Sequence, residues 1–436
     1  MNSENTRIWI WLTQAIGYNT SKIKKLCSLY PDITEFYNGG INEWRHSGVL
    51  TQNDLDKLSD VSIEIADYII MRCKELNYQI LCIDDDQYPS CLYNIFAPPA
   101  VIYISGKLPD VDNRLTIGIV GTRSATRYGL RNSYQIGYSL SKYGVVTISG
   151  GALGVDCASH RGSLAADGVT VCVRGCGINS SYLGENASMR RAITARGAVI
   201  SEYPPDESAR NYYFPARNRI IAALSDGVVI IESGAKSGSL ITANLALEQG
   251  KEVFALLGNN SPQNEGSNKR IKEGSAIPIT DFFDILNAFD SLYATNENVD
   301  IQDISFDDIE AIPVKGMKKS DNKKIKPAQN KKNKTENSEP KASQIAKPKK
   351  LLSVTKSAES NKNKPKPQPI HRDNVDLSDN ARMIYEYISA EPVHIDRIAL
   401  DNNIPVFKVL AAITELEMKR LIEPVQGRRY KLKPEE

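Results

Sequence analysis

The chain has 436 residues, with 54 Lys and Arg against 52 Asp and Glu and a formal net charge of +2. That length predicts roughly two to four domains, and a hydrophobic share of 41% is enough to fill their cores. No apolar run reaches the roughly 20 residues of a membrane span, and no charged-then-apolar leader opens the chain. The seven cysteines form no CxxC pair, which argues against a disulfide framework or a cysteine metal site. A soluble cytoplasmic protein with free thiols, and no metal or cofactor, is the expectation.

The small net charge conceals an asymmetry. Residues 315–372 hold seventeen lysines and Arg372 against only Asp321, Glu336, Glu339 and Glu359. One segment is therefore strongly basic, and the rest of the chain is acidic. A folded domain that binds a polyanion would then need a local cationic patch rather than a global field.

Residues 1–76 read as a small helical domain. Ile8, Leu12 and Ile16, and later Ile65, Tyr68 and Ile69, fit a period near 3.6, and "YPD" and "NGG" break the helices into short pieces. From 77 to 290 the pattern changes to short apolar runs separated by helical stretches. The runs are "LTIGIVG" (115–121), "VVTISG" (145–150), "VTVCVRG" (169–175), "AVIS" (198–201), "GVVIIE" (227–232) and "EVFALLG" (252–258). Continuous apolar strands are covered on both faces. The spacers "RNSYQIGYSLSKYG" and "SLITANLALEQG" are periodic and end in Gly, a common helix stop. An α/β fold with a doubly wound parallel sheet is predicted.

Residues 291–375 contain the lysine-rich stretch, which is poor in large apolar groups and is predicted to be a disordered linker. Residues 376–436 return to periodicity. Ser378 is placed to cap "SDNARMIYEYI", two further helices follow, and "LIEPVQGRRYKL" reads as a hairpin turning at Gln426-Gly427. Three helices and a hairpin make a winged helix. This region carries nine Lys and Arg against eleven Asp and Glu, and its third helix has Glu415 and Glu417 beside Lys408. Duplex-reading helices are usually basic, so a protein contact or weak DNA contact is expected here.

Ligands of an open parallel sheet bind beyond the carboxyl ends of its strands. Those ends read "GTRSATRYG", "SGGALGVD", "RGCGIN", "SEYPP", "ESGAKSGS" and "LGNN". They are small, polar or basic, which lets a ligand approach the backbone. The amides of "SGGALGVD", with the helix that follows, are a candidate phosphate cradle or a purely structural turn. Arg123, Arg127 and Lys236 follow strands, and Arg217 and Arg219 precede one. Phe214, with Tyr212 and Tyr213 beside it, offers a stacking face for an unpaired base. The alternative is that one of the two, Arg217 or Arg219, pairs internally with Glu202 or Glu232. His160 is read as a structural histidine and Asp156 as a helix cap. Neither a P-loop nor a G-x-S-x-G elbow is present.

Together these stretches resemble the DNA-processing protein A family, DprA, also called Smf. The resemblance rests on "DDQYPSCLYNIFAPPAVIYISG", "IVGTRSATRYG", "SGGALGVDCASHRG", "GAVISEYPP", "FPARNRIIAALSDGVVIIESGAKSGSLITANLALEQGKEVFALLG" and "IKEGSA". It implies an extended Rossmann-like fold that binds single-stranded DNA without catalysis, protects it during natural transformation and loads RecA onto it. It also implies a homodimer through the Rossmann domain, an N-terminal SAM-like domain and a C-terminal winged helix. Carried over by position, the implied DNA contacts are Arg123, Phe214, Arg217, Asn218, Arg219, Lys236, Ser237, Gly238 and Ser239, to which Arg127 and Gly151 are added. Several positions depart from the commoner pattern. "GTR" stands for Gly-Ser-Arg, Leu153 for a basic residue, Arg174 for an apolar one and Leu257 for Pro. The long lysine-rich linker is also unusual, and Arg174 or that linker is a candidate substitute for the missing cation at Leu153. The competing enzymatic reading is a phosphoribohydrolase-like nucleotide hydrolase. "ESGAKSGSLITA" lacks the paired glycines and the glutamate of that class.

Overall fold

The computed structural model describes residues 3–289, 309–315 and 377–433, the last range without 403, 405, 420 and 426–428. They fall in two compact units, Met1–Asp321 and Asn322–Glu436.

The first unit opens with six short helices: α1 (Ser3–Ile16), α2 (Lys22–Leu29), α3 (Ile33–Asn38), α4 (Gly40–His46), α5 (Gln52–Asp60) and α6 (Glu64–Glu75). Ile8 and Leu12 are fully buried, as their spacing predicts. The phase expected for α6 is corrected. Ala66, Ile69 and Cys73 form its buried stripe, while Ile65 and Tyr68 face solvent. The core of these helices continues without a break onto the sheet, because Trp9, Leu26 and Phe36 share one cluster with Leu81, Val101 and Tyr103.

The sheet has nine strands: β1 (Gln79–Cys82), β2 (Val101–Gly106), β3 (Thr116–Val120), β4 (Val146–Ser149), β5 (Thr170–Arg174), β6 (Ala198–Ser201), β7 (Gly227–Ile230), β8 (Glu252–Leu256) and β9 (Ile277–Ile279). Their order is β1-β2-β6-β5-β4-β3-β7-β8-β9. All six apolar runs of the sequence are strands of its parallel body. The edge strand β1, the strand β2 that pairs antiparallel with both β1 and β6, and the short edge strand β9 were not anticipated. The crossover helices are α8 (Arg127–Lys142), α9 (Val155–Ala165), α10 (Ala187–Arg196), α11 (Tyr213–Ala223), α12 (Ser239–Glu248) and α13 (Glu265–Lys272), with a short α7 (Ser90–Tyr93) before them and α14 (Phe283–Phe289) after.

The chain starts its parallel body at β3, winds outward through β4, β5 and β6, and then returns to β7 on the other side of β3. The boundary between β3 and β7 is therefore the switch point of the sheet. Beyond it the two connections diverge and open a crevice.

The second unit holds α15 (Asp379–Tyr387), α16 (Ile395–Asp401) and α17 (Val406–Met418), with β10 (Val393–His394), β11 (Ile422–Val425) and β12 (Arg429–Leu432) in a small antiparallel sheet. This is the expected winged helix. Ser378 caps α15 and also donates to Glu415 of α17 through Oγ at 2.6 Å.

The linker expected over 291–375 lies outside the described residues except for 309–315. Those seven residues are not free chain. Ile309 and Ile312 are buried against Tyr134, Ala158 and Met189.

Candidate nucleic-acid interface

A cleft of about 480 Å³ lies at the switch point. The turn after β3 (Gly121, Thr122, Arg123) forms one wall. Phe214, Arg217, Asn218 and Ile221 of α11 form another, and Ser237 to Ser239 at the start of α12 close it. Positions 214, 217, 218 and 221 are one face of a helix, so "FPARNRII" is a helix with its i, i+3, i+4, i+7 stripe turned to the cleft.

Arg123 is half-buried, with its guanidinium 5.4 Å from the centre of the Phe214 ring. Its Nη1 donates to the Tyr182 hydroxyl at 3.4 Å. Tyr182 also packs on Phe214, with ring centroids 5.1 Å apart and planes tilted by 39°. Arg123 and Phe214 thus meet in the cleft lining, with Tyr182 packed on both from outside it, and a cation beside an aromatic ring is the combination that takes a base and its phosphate together.

Tyr182 was not identified from the sequence, where it stands in an unpatterned loop, "NSSYLG". Arg174 holds that loop. Its Nη2 donates to the Ser180 and Tyr182 carbonyls at 3.2 and 3.3 Å and to the Cys176 sulfur at 3.0 Å. Arg174 is buried, so it does not replace the cation missing at Leu153. It positions Tyr182 instead. Tyr213, expected on the stacking face, also points inward and stacks on Tyr203 at 3.9 Å, while Tyr212 is exposed.

Arg217 and Arg219 part company. Arg217 lies under the cleft, buried, with Nη1 donating to the Gly150 carbonyl at 2.9 Å and to the Val173 carbonyl. Arg219 is corrected from a DNA contact to an internal group. It pairs with buried Glu202 at 2.5 Å and donates to the Ala97 carbonyl. Residues two apart on a helix point to opposite sides, so both could not reach the rim.

The "SGGALGVD" turn is structural. Asp156 accepts from the Gly150 and Ala152 amides, both at 3.2 Å. It fastens the turn before it rather than capping its own helix. The Gly154 amide donates to the Pro313 carbonyl at 2.9 Å and the Val155 amide to Thr122, so these donors are not available to a phosphate. Gly151 is buried with φ +67°, and a Cβ there would sit 2.5 Å from the Cys172 sulfur. Its place is dictated by backbone conformation, not by ligand contact. Burial raises the Asp156 carboxyl above its usual range, against the pull of the Arg217 charge. The same burial lowers the Arg217 guanidinium.

The remaining expected residues spread around the rim. Asn218 lines the cleft, and its Nδ2 donates to the Gly238 carbonyl at 3.4 Å. Ser237 and Ser239 share a hydrogen bond of 2.8 Å, and Ser239 reaches back to Ser233. Lys236 is exposed in the same turn, outside the cleft lining. Arg127 is exposed and pairs with Glu310 at 2.7 Å. Glu232 accepts from the Thr126 amide at 2.8 Å and anchors the start of α8. His160 is structural, fully buried, with Nδ1 2.8 Å from the Thr170 hydroxyl.

Fold and site define a Rossmann-like, doubly wound α/β protein with a cationic, aromatic-walled cleft at its switch point and a winged helix as a second unit. Residues 79–290 match the family described as DNA recombination-mediator protein A, and residues 365–428 match the DprA winged helix domain. The chain is 38% identical over 208 residues to the DNA processing protein DprA of Bacillus subtilis, a match covering 48% of this chain and 70% of that one. It is 41% identical over 192 residues to Protein Smf of Synechocystis, covering 43% of this chain and about half, 48%, of that relative. Among solved structures, DprA from Streptococcus pneumoniae superposes with a TM-score of 0.56 at 28% identity, over 64% of this chain and 96% of that one. The chain belongs to the DprA/Smf family.

Proposed function

We propose that the switch-point cleft binds single-stranded DNA, and that the protein protects the strand and hands it to RecA during DNA uptake and natural transformation, without catalysing a reaction on it. One observation carries this reading. Arg123 and Phe214 set a cation against an aromatic ring in the cleft lining, and Tyr182 packs on both. Stacking recognises any base, and a neighbouring guanidinium recognises any phosphate, so such a site is tolerant of sequence and needs an unpaired strand. The family's description as a recombination mediator is consistent with a carrier role. The RecA hand-over, the homodimer through the Rossmann-like domain and the absence of catalysis rest on the family resemblance. Within the cleft lining, Asp156 is the one carboxylate, and it is spent on the Gly150 and Ala152 amides.

The test is fluorescence anisotropy of a labelled oligo-dT strand and of a matching duplex, with the full chain and its Arg123→Ala variant, titrated with salt. Tight binding of the single strand that the variant loses supports the reading. Equal affinity of both proteins sinks it. Release of free base from a nucleoside monophosphate would favour the hydrolase instead.

A further inference from the structure

Residues 309–315 cross the cleft edge as a strap, and the strap is built in. Ile309 and Ile312 are 3% and 1% exposed. The Arg161 Nη1 donates to the Ala311 carbonyl at 3.0 Å, and Arg127 pairs with Glu310 at 2.7 Å. Two backbone bonds then tie the strap to the cleft itself. The Gly154 amide donates to the Pro313 carbonyl, and the Lys315 amide donates to the Arg123 carbonyl, both at 2.9 Å. The strap thus grips the two turns that shape the cleft, one of them through Arg123, the half-buried cation of its lining. Lys315 itself lines the cleft and is exposed. In the sequence it is the first of the seventeen lysines between 315 and 372.

We propose that residues 309–315 are part of the single-strand site, with Lys315 as a further phosphate contact and the strap as the element that positions Arg123. This rests on the single-strand reading above. Leu153 leaves the "SGGALGVD" turn without a cation, and the strap supplies one beside the same turn. The bond from Lys315 to Arg123 fixes the Arg123 backbone, so its guanidinium stays over Phe214 rather than sampling solvent.

The experiment compares the full-length protein with Lys315→Ala, Ile312→Asp and Arg123→Ala, using labelled oligo-dT and a salt titration. One fewer phosphate contact lowers the salt slope by about 0.7 for a single strand. Lys315→Ala is expected to show that decrease, and Ile312→Asp, which undocks the strap, to weaken binding about tenfold or more. Hydrogen exchange on the unmodified protein stands beside these variants, because Ile312→Asp removes a buried side chain. Slower exchange of the Gly154 and Lys315 amides on adding oligo-dT supports the strap's role. An unchanged slope for Lys315→Ala together with unchanged exchange overturns it, and so does tighter binding by Ile312→Asp, which would make the strap a cover. Arg123→Ala separates the two levels. If it too leaves binding intact, the single-strand reading fails and not only the strap.

Discussion

Arg219 and Glu202 close on each other as a two-point ion pair inside the protein, with Nη2–Oε1 at 2.5 Å and Nη1–Oε2 at 3.0 Å. Both side chains are nearly inaccessible, at 6% and 3%. A buried pair that loses one member leaves an uncompensated charge, at a cost of about 3–5 kcal/mol. Glu202→Ala is therefore expected to lower stability by that amount in urea unfolding. Replacing both residues by apolar ones should cost clearly less than the two single changes added together. A single variant within about 0.5 kcal/mol of the parent protein, the usual range for surface changes, would show that the pair is not holding α11.

The cleft residues should behave in the opposite way. Phe214 and Tyr182 are half-buried and share one another's rings. Base stacking on an aromatic side chain contributes about 1–3 kcal/mol, so Phe214→Ala and Tyr182→Ala should each weaken oligo-dT binding about tenfold. Arg123→Ala should reduce the salt slope by about 0.7 and leave the melting temperature almost unchanged. Arg174→Ala should act through Tyr182, with the double variant Arg174→Ala/Tyr182→Ala no weaker in binding than Tyr182→Ala alone.

Gly154 is held at φ +74°, and a Cβ there would meet the Thr122 carbonyl oxygen at 2.5 Å and the Arg123 carbonyl oxygen at 2.8 Å. Gly154→Ala must push the two turns apart as well as strain the backbone. Gly144 has a similar φ of +80° but open space around its Cβ position. Gly144→Ala should therefore cost only the conformational strain, about 1 kcal/mol, with DNA binding intact. Gly154→Ala should lose more stability and also lose affinity. Equal behaviour of the two alanines in both assays would refute the clash argument.

His160 is expected to make stability depend on pH. Burial, reinforced by the Arg217 charge, lowers its imidazolium to about 3. The unfolded chain has a histidine near pH 6.5. Between those values the unfolded state binds a proton that the folded state refuses, so stability falls as pH falls from about 6.5 toward 3. From pH 6.5 to 5 the loss is about 1.6 kcal/mol. His160→Gln, which keeps a polar group near Thr170, should flatten that part of the curve. The same pH dependence in parent and variant would assign it elsewhere.

Much of this protein was legible in its sequence. The apolar runs of the parallel strands are continuous because both faces are covered, and that pattern survives without tertiary information. The small and basic residues at their carboxyl ends pointed to the rim where the cleft opens. The edge strands β1 and β9 were missed because they are only four and three residues long, too short to carry a readable pattern, whereas β2 is a buried apolar run, Val101 to Ile104, that was passed over as a strand.

The strap left a weaker trace. "IEAIPV" sets Ile309, Ile312 and Val314 just before the lysine run, and an apolar triplet entering a polar segment is a docking signal that composition averages away. The aromatic partner of Phe214 left none, because Tyr182 reaches it only through the carbonyls held by Arg174.

The sequence by itself determined the parallel sheet, the winged helix and the place of the cleft, because local periodicity and strand-end chemistry are written in neighbouring residues. Only the tertiary structure decided which arginine faces the cleft. Arg217 and Arg219 are identical side chains two positions apart, with Asn218 between them, and a helix turns about 100° per residue, so they point to opposite sides. The rotation of α11 against the sheet sent one beneath the cleft and the other to Glu202, and that rotation is set by packing that no short stretch of sequence contains.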